Sequence, residues 1–383
     1  MSKGTSGNYW NAPALPSVFK HALLSRYIPK FGGMTGSRSR GEVVYLDGYA
    51  GEGRYENGQS GSADKVLRIA ADHQAKGLVH WTCFFAEKSP PSFSHLEALV
   101  AEYRSSGVDA RAFNGDVLGL MDQVLTTAAG RPLFLFLDPC GLGLPFETLA
   151  NVLARQRKET WPPTEVLLNF SMMAVRRIGG NSQSDKGNER TNERLDEVCG
   201  GRWWRDYFAE GYSSDSDDKV AAEYSERLGT ATGMHTVSVP VARAPGQKAV
   251  YNLVFGTRSN HGLWVFGDAH SRARDTWWEG LELNEEADSD ALFPVASLQR
   301  PNPAKVHEKA VPVIAQNIAA LLQKGQPIRL VDHTSAVFGE FYGQVPEKVV
   351  RDAIKHLRAA GGTPSDGRGS PIHNLQVLPP VRP

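Results

Sequence analysis

The chain has 383 residues, long enough for two domains or for one large α/β domain with an appendage, and for a substantial buried core. Lys+Arg and Asp+Glu both total 42, so the global field neither announces nor excludes a nucleic-acid partner. The three cysteines, Cys83, Cys140 and Cys199, are odd in number and lack CxxC spacing, which excludes a disulfide framework and argues against a zinc site, so no metal is expected. No apolar run reaches the ~18 residues of a membrane span. The opening Met1-Ser2-Lys3-Gly4 lacks the hydrophobic core of a signal peptide, so a cytoplasmic protein without a membrane partner is expected.

Residues 1–16 are small and polar and read as a flexible lead; Phe19, Leu23, Tyr27 and Ile28 then recur at helical spacing, which predicts a helix over about 17–30. A strand at 43–47 precedes a glycine turn, a helix is expected over 63–75, and Thr82 to Ala86 reads as a second strand ending at Glu87. Ser94-x-x-Glu97 is a capping box ahead of the apolar face Leu96, Leu99, Val100 and Tyr103, so a helix should begin there. Val108 to Phe113 makes a third strand ending in Asn114-Gly115-Asp116. Leu133 to Leu137 makes a fourth, ending in Asp138, and Glu165 to Phe170 a fifth; their unbroken apolar character means burial on both faces. Strands alternating with helices predict an α/β chain with a parallel sheet. His235 to Ala242 and Val250 to Thr257, separated by Arg243-Ala244-Pro245-Gly246, read as a closing antiparallel hairpin.

Gly179 to Glu193 is poor in apolar residues and reads as a mobile lid. After Pro301-Asn302-Pro303 the texture turns helical, with one face of Val311, Ile314, Ile318 and Leu321 and another of Val349, Val350, Ala353, Ile354 and Leu357. From Pro301 to Pro383 there are ten Lys/Arg against six Asp/Glu, including the exposed series Lys348, Arg351, Lys355 and Arg358. Helices followed by an apolar hairpin at Asn374 to Leu378 give the expected domains: a lead over 1–16, a Rossmann domain over 17–300 and a winged-helix-like domain over 301–383. The last basic helix is then either a nucleic-acid reader or a solvated face of a docking module.

The run Tyr45-Leu46-Asp47-Gly48-Tyr49-Ala50-Gly51-Glu52-Gly53 joins an apolar strand to a D-x-(aromatic)-x-G-x-G loop. Gly51 and Gly53 let backbone pass close to a ligand, whereas the dinucleotide and phosphate-loop fingerprints are absent. Read only as a turn, Asp47 and the glycines would make a hairpin. The loop resembles motif I of class I S-adenosylmethionine-dependent methyltransferases, where Asp47, Gly48, Tyr49, Ala50, Gly51 and Gly53 would surround the methionine part of the cofactor. Strand-end acids in series follow the order found in that class. Glu87 would accept both ribose hydroxyls, and Asp116 the adenine amino group; the rival roles are helix-dipole complementation before Pro90-Pro91 for Glu87 and an ordinary Asn-Gly-Asp turn for Asp116.

Asp138-Pro139-Cys140-Gly141 stands where amino-methyltransferases carry D-P-P-(aromatic). A nucleobase amine is a poor nucleophile, and hydrogen bonds to Asp138 and to the Pro139 carbonyl would hold it for in-line attack on a sulfonium methyl. The second Pro and the stacking aromatic are replaced by Cys140 and Gly141, a D-P-x-G form similar to that of tRNA guanine N2-dimethyltransferases. Phe146, Phe170 or a Trp would then have to stack on the base.

Lys20-His21 with Tyr27, the D-G-Y-A-G-E-G-R-Y-x-x-G block ending at Gly58, Gly61-Ser62, F-A-E at 85–87, L-D-P-C-G at 137–141, E-V-L-L-N-F at 165–170 and Tyr251-x-Leu-x-Phe-x-Thr257 together resemble the three-Cys-motif partner (TcmP) proteins. The likeness runs from about Phe19 to about Asp268, and that family typically has D-P-F-G where this chain has Cys140. It implies a seven-stranded Rossmann-like methyltransferase fold, S-adenosylmethionine as cofactor, Lys20 and His21 lining the cofactor pocket, and a partner that is a radical-enzyme-like protein carrying three cysteines. Arg54, Tyr55, Asn169, Phe170 and Arg176 are the candidate substrate contacts. The expected activity is methyl transfer to a nitrogen of a nucleic acid or nucleobase-like acceptor. The alternatives are a subunit that binds the nucleoside without transferring anything, and a nucleic-acid adaptor with a decayed pocket.

Overall fold

In the computed structural model, residues 13–182, 188–287 and 299–380 are described, and they divide into two compact units: residues 1–17 with 28–258, and residues 18–27 with 259–383.

The first unit is built on a seven-stranded sheet in the order β3-β2-β1-β4-β5-β7-β6, with β1 Glu42–Asp47, β2 His80–Glu87, β3 Asp109–Asn114, β4 Leu133–Leu137, β5 Thr164–Phe170, β6 His235–Val241 and β7 Tyr251–Thr257. Strands β1 to β5 are mutually parallel, while β7 runs antiparallel to β5 and to β6. This is the Rossmann-like sheet with a closing antiparallel hairpin that the strand pattern predicts. β4 and β5 are buried along their whole length, as period-free apolar runs require. β6, at the sheet edge, is only partly buried and tolerates Pro240, whose missing N–H an inner strand would not.

Helices α2 (Ser62–Ala75), α3 (Pro90–Ser105) and α4 (Val117–Thr127) link the first four strands. The helix after β2 starts earlier than its capping box suggests. Pro90 and Pro91 occupy its opening positions, where a missing N–H costs nothing, and Ser94 lies inside it, donating to the Pro90 carbonyl. Helix α4 has no counterpart in the sequence reading. Between β4 and β5 lies α5 (Phe146–Asn151), and beyond β5 lie α6 (Met172–Gly179), α7 (Glu189–Cys199) and α8 (Ser216–Thr232). The lid expected over Gly179 to Glu193 is therefore corrected at its end, where the chain is helical because Leu195, Val198 and Cys199 bury one face; residues 183–187 lie outside the described residues. So do residues 1–12 of the expected lead.

The second unit combines part of α1 (Leu15–Gly36) with α9 (Asn260–Ala287) and the helices Pro303–Leu322, Thr334–Phe338 and Val349–Ala359. Its boundary differs from the one expected at 300/301. Trp264 of α9 packs in one cluster with Ile314, Ile318, Val350 and Ile354, its indole donates to Glu347 at 2.6 Å, and the Tyr342 hydroxyl donates to the Leu263 carbonyl. The apolar stretch near the C-terminus forms no hairpin of its own: Gln376–Val377 pairs back onto Ile328–Arg329. Arg351, one of the basic series, donates to the carbonyls of Gly367 and Gly369 and so ties down the following loop. No helix among the described residues is long and apolar enough to cross a membrane.

Phe134 sits at the middle of the sheet, fully buried, with Phe31 edge-on at 5.4 Å and Tyr45 stacked at 6.1 Å. Replacing it with Ala should cost about 3–5 kcal/mol of unfolding free energy, read from urea denaturation; a loss below about 1 kcal/mol would mean that the three-ring stack does not hold the sheet.

Candidate active site at the strand tips

The strand order reverses between β1 and β4, so the carboxyl ends of these strands flank the topological switch point, where doubly wound sheets bind ligands. Asp47 closes β1 there. Its carboxylate has no exposure, and it accepts from the Tyr49 backbone N–H at 3.1 Å and from the Ser62 hydroxyl at 2.7 Å, at the first turn of α2. The first bond makes an Asx-type turn of Asp47-Gly48-Tyr49, and the second pins that turn to the helix. Asp47 therefore acts as the organiser of the loop.

Downstream the backbone turns left-handed at Gly51 (φ 61°) and Gly53 (φ 80°). A Cβ at Gly53 would lie 2.4 Å from Leu99 Cδ2, so this position is closed to side chains by conformation and by packing. The loop is then fastened to the second strand tip. The Gly51 N–H donates to one Glu87 oxygen at 3.0 Å, and the Ser89 N–H to the other at 2.6 Å. A carboxylate has about four lone-pair sites, so each Glu87 oxygen keeps one for a hydroxyl donor.

Asp116 caps α4 through Leu118 N–H and is otherwise exposed at the third tip. It lies close enough to the Tyr49 phenol to matter electrically. Burial pushes that phenol's pKa up, Asp116 adds to the shift, and Arg194 of α7 opposes it. Tyr49, Ala50 and Gly51 thus stand between the first three strand tips, with α7 nearby.

The fourth and fifth tips meet directly. Leu137 pairs with Leu168, so the residues just beyond them, Asp138 and Asn169, come side by side, and Asn169 Nδ2 donates to Asp138 Oδ1 at 2.6 Å. That bond fixes the amide orientation, since the reverse would set two oxygens together. Among the described residues, Asn169 Oδ1 is left buried without a hydrogen-bond partner. Pro139 is buried beside it, whereas Cys140 is exposed.

The remaining sequence candidates sit elsewhere. Lys20 and His21 are buried on α1, in the segment that belongs to the second unit. Arg54 pairs with Asp64 and Glu102, both at 2.8 Å, in a hairpin closed by the Arg54–Ser60 bridge, and Tyr55 is buried there. Arg176 is held by Asp217 at 2.7 Å and by the Ala249 carbonyl at 2.6 Å. Phe170 stacks on Tyr224 at 4.3 Å and Phe146 meets the same ring edge-on at 5.9 Å, so both expected base-stacking candidates are packed into the core.

Sequence reasoning missed the network under the loop. Asp64 has no exposure and is reached by Arg54, Arg68, Tyr103 and Ser60. Burial pushes its pKa up, but the hydrogen bonds from Ser60, Arg54, Tyr103 and Arg68 outweigh it and hold the carboxyl below its usual 3.8. Only the spacings of four residues from Asp64 to Ser60 and to Arg68 are visible in the primary structure.

No family model matches this chain, and no curated protein matches it. Among solved structures, it is similar to the small RNA methyltransferase HEN1 at 9% identity and a TM-score of 0.33, over 67% of this chain and 27% of that one. A class I S-adenosylmethionine-dependent methyltransferase from Listeria monocytogenes is similar at 14% identity and a TM-score of 0.31, over 67% of this chain and 63% of that one. The plantazolicin methyltransferase BamL, solved with SAH, gives 9% identity and a TM-score of 0.29, over 65% and 93%. The chain thus spans about a quarter of the length of HEN1 and under two thirds of the Listeria protein.

Gly53→Ala should cost about 1–3 kcal/mol of stability through left-handed strain alone, with the Leu99 clash added. An unchanged melting temperature would show that the loop relaxes freely. For Asp64, a depressed folded-state pKa means stability that is present above about pH 3.8 and lost as pH falls through the folded value. Asp64→Asn should therefore shrink the drop in urea midpoint between pH 5 and pH 3; an identical drop would remove Asp64 from the acid response.

Proposed function

We propose that this chain is an S-adenosylmethionine-dependent methyltransferase acting on a nitrogen of a nucleic acid or nucleobase-like acceptor. The observation that carries this reading is the Asp138–Asn169 pair at the ends of β4 and β5, with the buried, partnerless Asn169 Oδ1. An orphaned buried acceptor costs about 1–3 kcal/mol, a cost that an amine donor in the site would relieve.

The donor set fits the cofactor. Gly51, at positive φ, has no Cβ to obstruct close backbone approach, whereas Leu99 fills that space at Gly53, and Glu87 retains acceptor capacity for a pair of hydroxyls. When bound, S-adenosylmethionine supplies an electrophilic sulfonium methyl. Asp138, oriented by Asn169, would accept one N–H of the acceptor amine, and Asn169 Oδ1 or the Pro139 carbonyl the other. Their work is to aim a weak nucleophile whose lone pair is delocalised, and to take up the proton that becomes acidic as the nitrogen is alkylated. In the same reading, Lys20 and His21 serve the cofactor, Asp116 receives the adenine amine, and the chain is cytoplasmic. The likeness to the three-Cys-motif partner family, its three-cysteine partner and a winged-helix-like role for residues 301–383 belong to this proposal too.

A second reading, a subunit that binds the nucleoside without transferring a methyl, is favoured by one observation. With Cys140 and Gly141 after Pro139, and with Phe146 and Phe170 packed on Tyr224, neither of those rings can stack on a base.

Transfer of labelled methyl from S-adenosylmethionine into RNA, DNA and protein fractions separates the two. We expect label in a nucleic-acid fraction and a loss of at least 10²-fold with Asp138→Ala, in the range of general acid–base contributions, with cofactor binding retained. Equal transfer by Asp138→Ala would overturn the role of that carboxylate. Absence of label from every fraction, with cofactor still bound, would make the chain a binding subunit.

A further inference from the structure

The second unit holds a cavity of about 470 Å³ lined by Arg274 and Trp278 of α9, by Arg300, by His307 of the helix Pro303–Leu322 and by Lys348 ahead of the helix Val349–Ala359. We propose that it binds a phosphate monoester carried on a flat apolar group, that is, a nucleotide.

The charges argue for the phosphate. One lining cation is already neutralised, Arg300 by Glu282 at 2.8 Å, and the His307 ring stands 3.4 Å from Asp352. Arg274 and Lys348 have no ion pair or hydrogen bond among the described residues, although Asp275 and Glu308 also line the space and temper its field. Lys348 is exposed and water can satisfy it. Arg274 is half-buried, and the loss of hydration pulls its guanidinium below the usual range, with Asp275 opposing that shift. A desolvated guanidinium without a partner is costly, and its planar fork of five donors matches the oxygens of a phosphate. The opening turn of Pro303–Leu322 adds a positive dipole end on the same side, with Pro303 and Ala304 on the wall.

The size and the other walls argue for the flat group. The volume falls within the ~300–1,000 Å³ of small-molecule sites and exceeds what a phosphate fills. Val345 and Val349, both buried, floor the apolar side together with Trp278, whose ring stands at 83° to Trp277. An indole beside a guanidinium suits a nucleobase joined to a phosphate. The nucleotide arrives either free or as the 5′-phosphorylated end of a strand; both present the same chemistry.

Calorimetric titration of the full chain with AMP, adenosine, inorganic phosphate, and 5′-phosphorylated and 5′-hydroxyl oligonucleotides tests this. We expect AMP or the phosphorylated oligonucleotide to bind at least tenfold more tightly than its unphosphorylated counterpart. Saturation by AMP assigns a free nucleotide, and by the oligonucleotide alone, a strand end. Arg274→Gln and Lys348→Ala should each weaken that binding about tenfold or more, while Glu87→Ala leaves it unchanged, which separates this cavity from the strand-tip site. Lys348 is exposed, so Lys348→Ala keeps the test valid if Arg274→Gln misfolds. No binding by either phosphorylated ligand, no effect of Lys348→Ala, or a loss of binding with Glu87→Ala in place of the Arg274 and Lys348 variants would overturn the assignment.

Discussion

A carboxylate without solvent at the end of β1 constrains the first unit more than any other single group. Asp47 has to be hydrogen-bonded where it stands, because a buried ion left unpaired is among the costliest features a fold can carry. Its bonds to Tyr49 N–H and the Ser62 hydroxyl settle the direction of the glycine loop and the start of α2 together. Once the loop is so directed, Gly51 N–H arrives at Glu87, and the first two strand tips are joined. The loop is thus braced at both ends before any ligand is present. Such preorganisation is what a nucleoside site needs, since rigid donors cost no ordering entropy on binding.

Beneath that loop, the Asp64 network repeats the theme at a lower level. Arg54, Arg68, Tyr103 and Ser60 converge on one buried carboxylate and join the 54–60 hairpin to α2 and α3. The arginine most tempting as a substrate contact is thereby spent on architecture. The same holds for Arg176 and Asp217. What remains open to chemistry is the short polar edge made by Glu87, Asp138 and Asn169, where acceptor capacity is left over.

The strands were legible in the residues because their signals are local. Leu133 to Leu137 and Val166 to Leu168 are apolar without a period, and each is followed by a polar residue, Asp138 or Asn169, at the sheet's carboxyl edge. The pairing of Asp138 with Asn169 could be anticipated only as a shared edge, since its register depends on Leu137 meeting Leu168. Other features depend on partners distant in the chain. Whether an aromatic such as Phe170 faces a ligand or a core is decided by Tyr224, 54 positions away in sequence. Ser94-x-x-Glu97 looked like a helix start, yet Pro90 and Pro91 open the helix a turn earlier. The membership of residues 18–27 in the second unit had no sequence signal, because an apolar helix face does not state what it packs against.

The proposed function requires that the braced loop and the Glu87 tip form one nucleoside site. Isothermal titration of S-adenosylhomocysteine into the full chain addresses this without requiring an acceptor. One molar equivalent should bind, and Glu87→Ala, which removes the carboxylate proposed to accept the ribose hydroxyls, should weaken binding at least tenfold. An absence of heat with the folded wild-type chain, or equal affinity in Glu87→Ala, would contradict it.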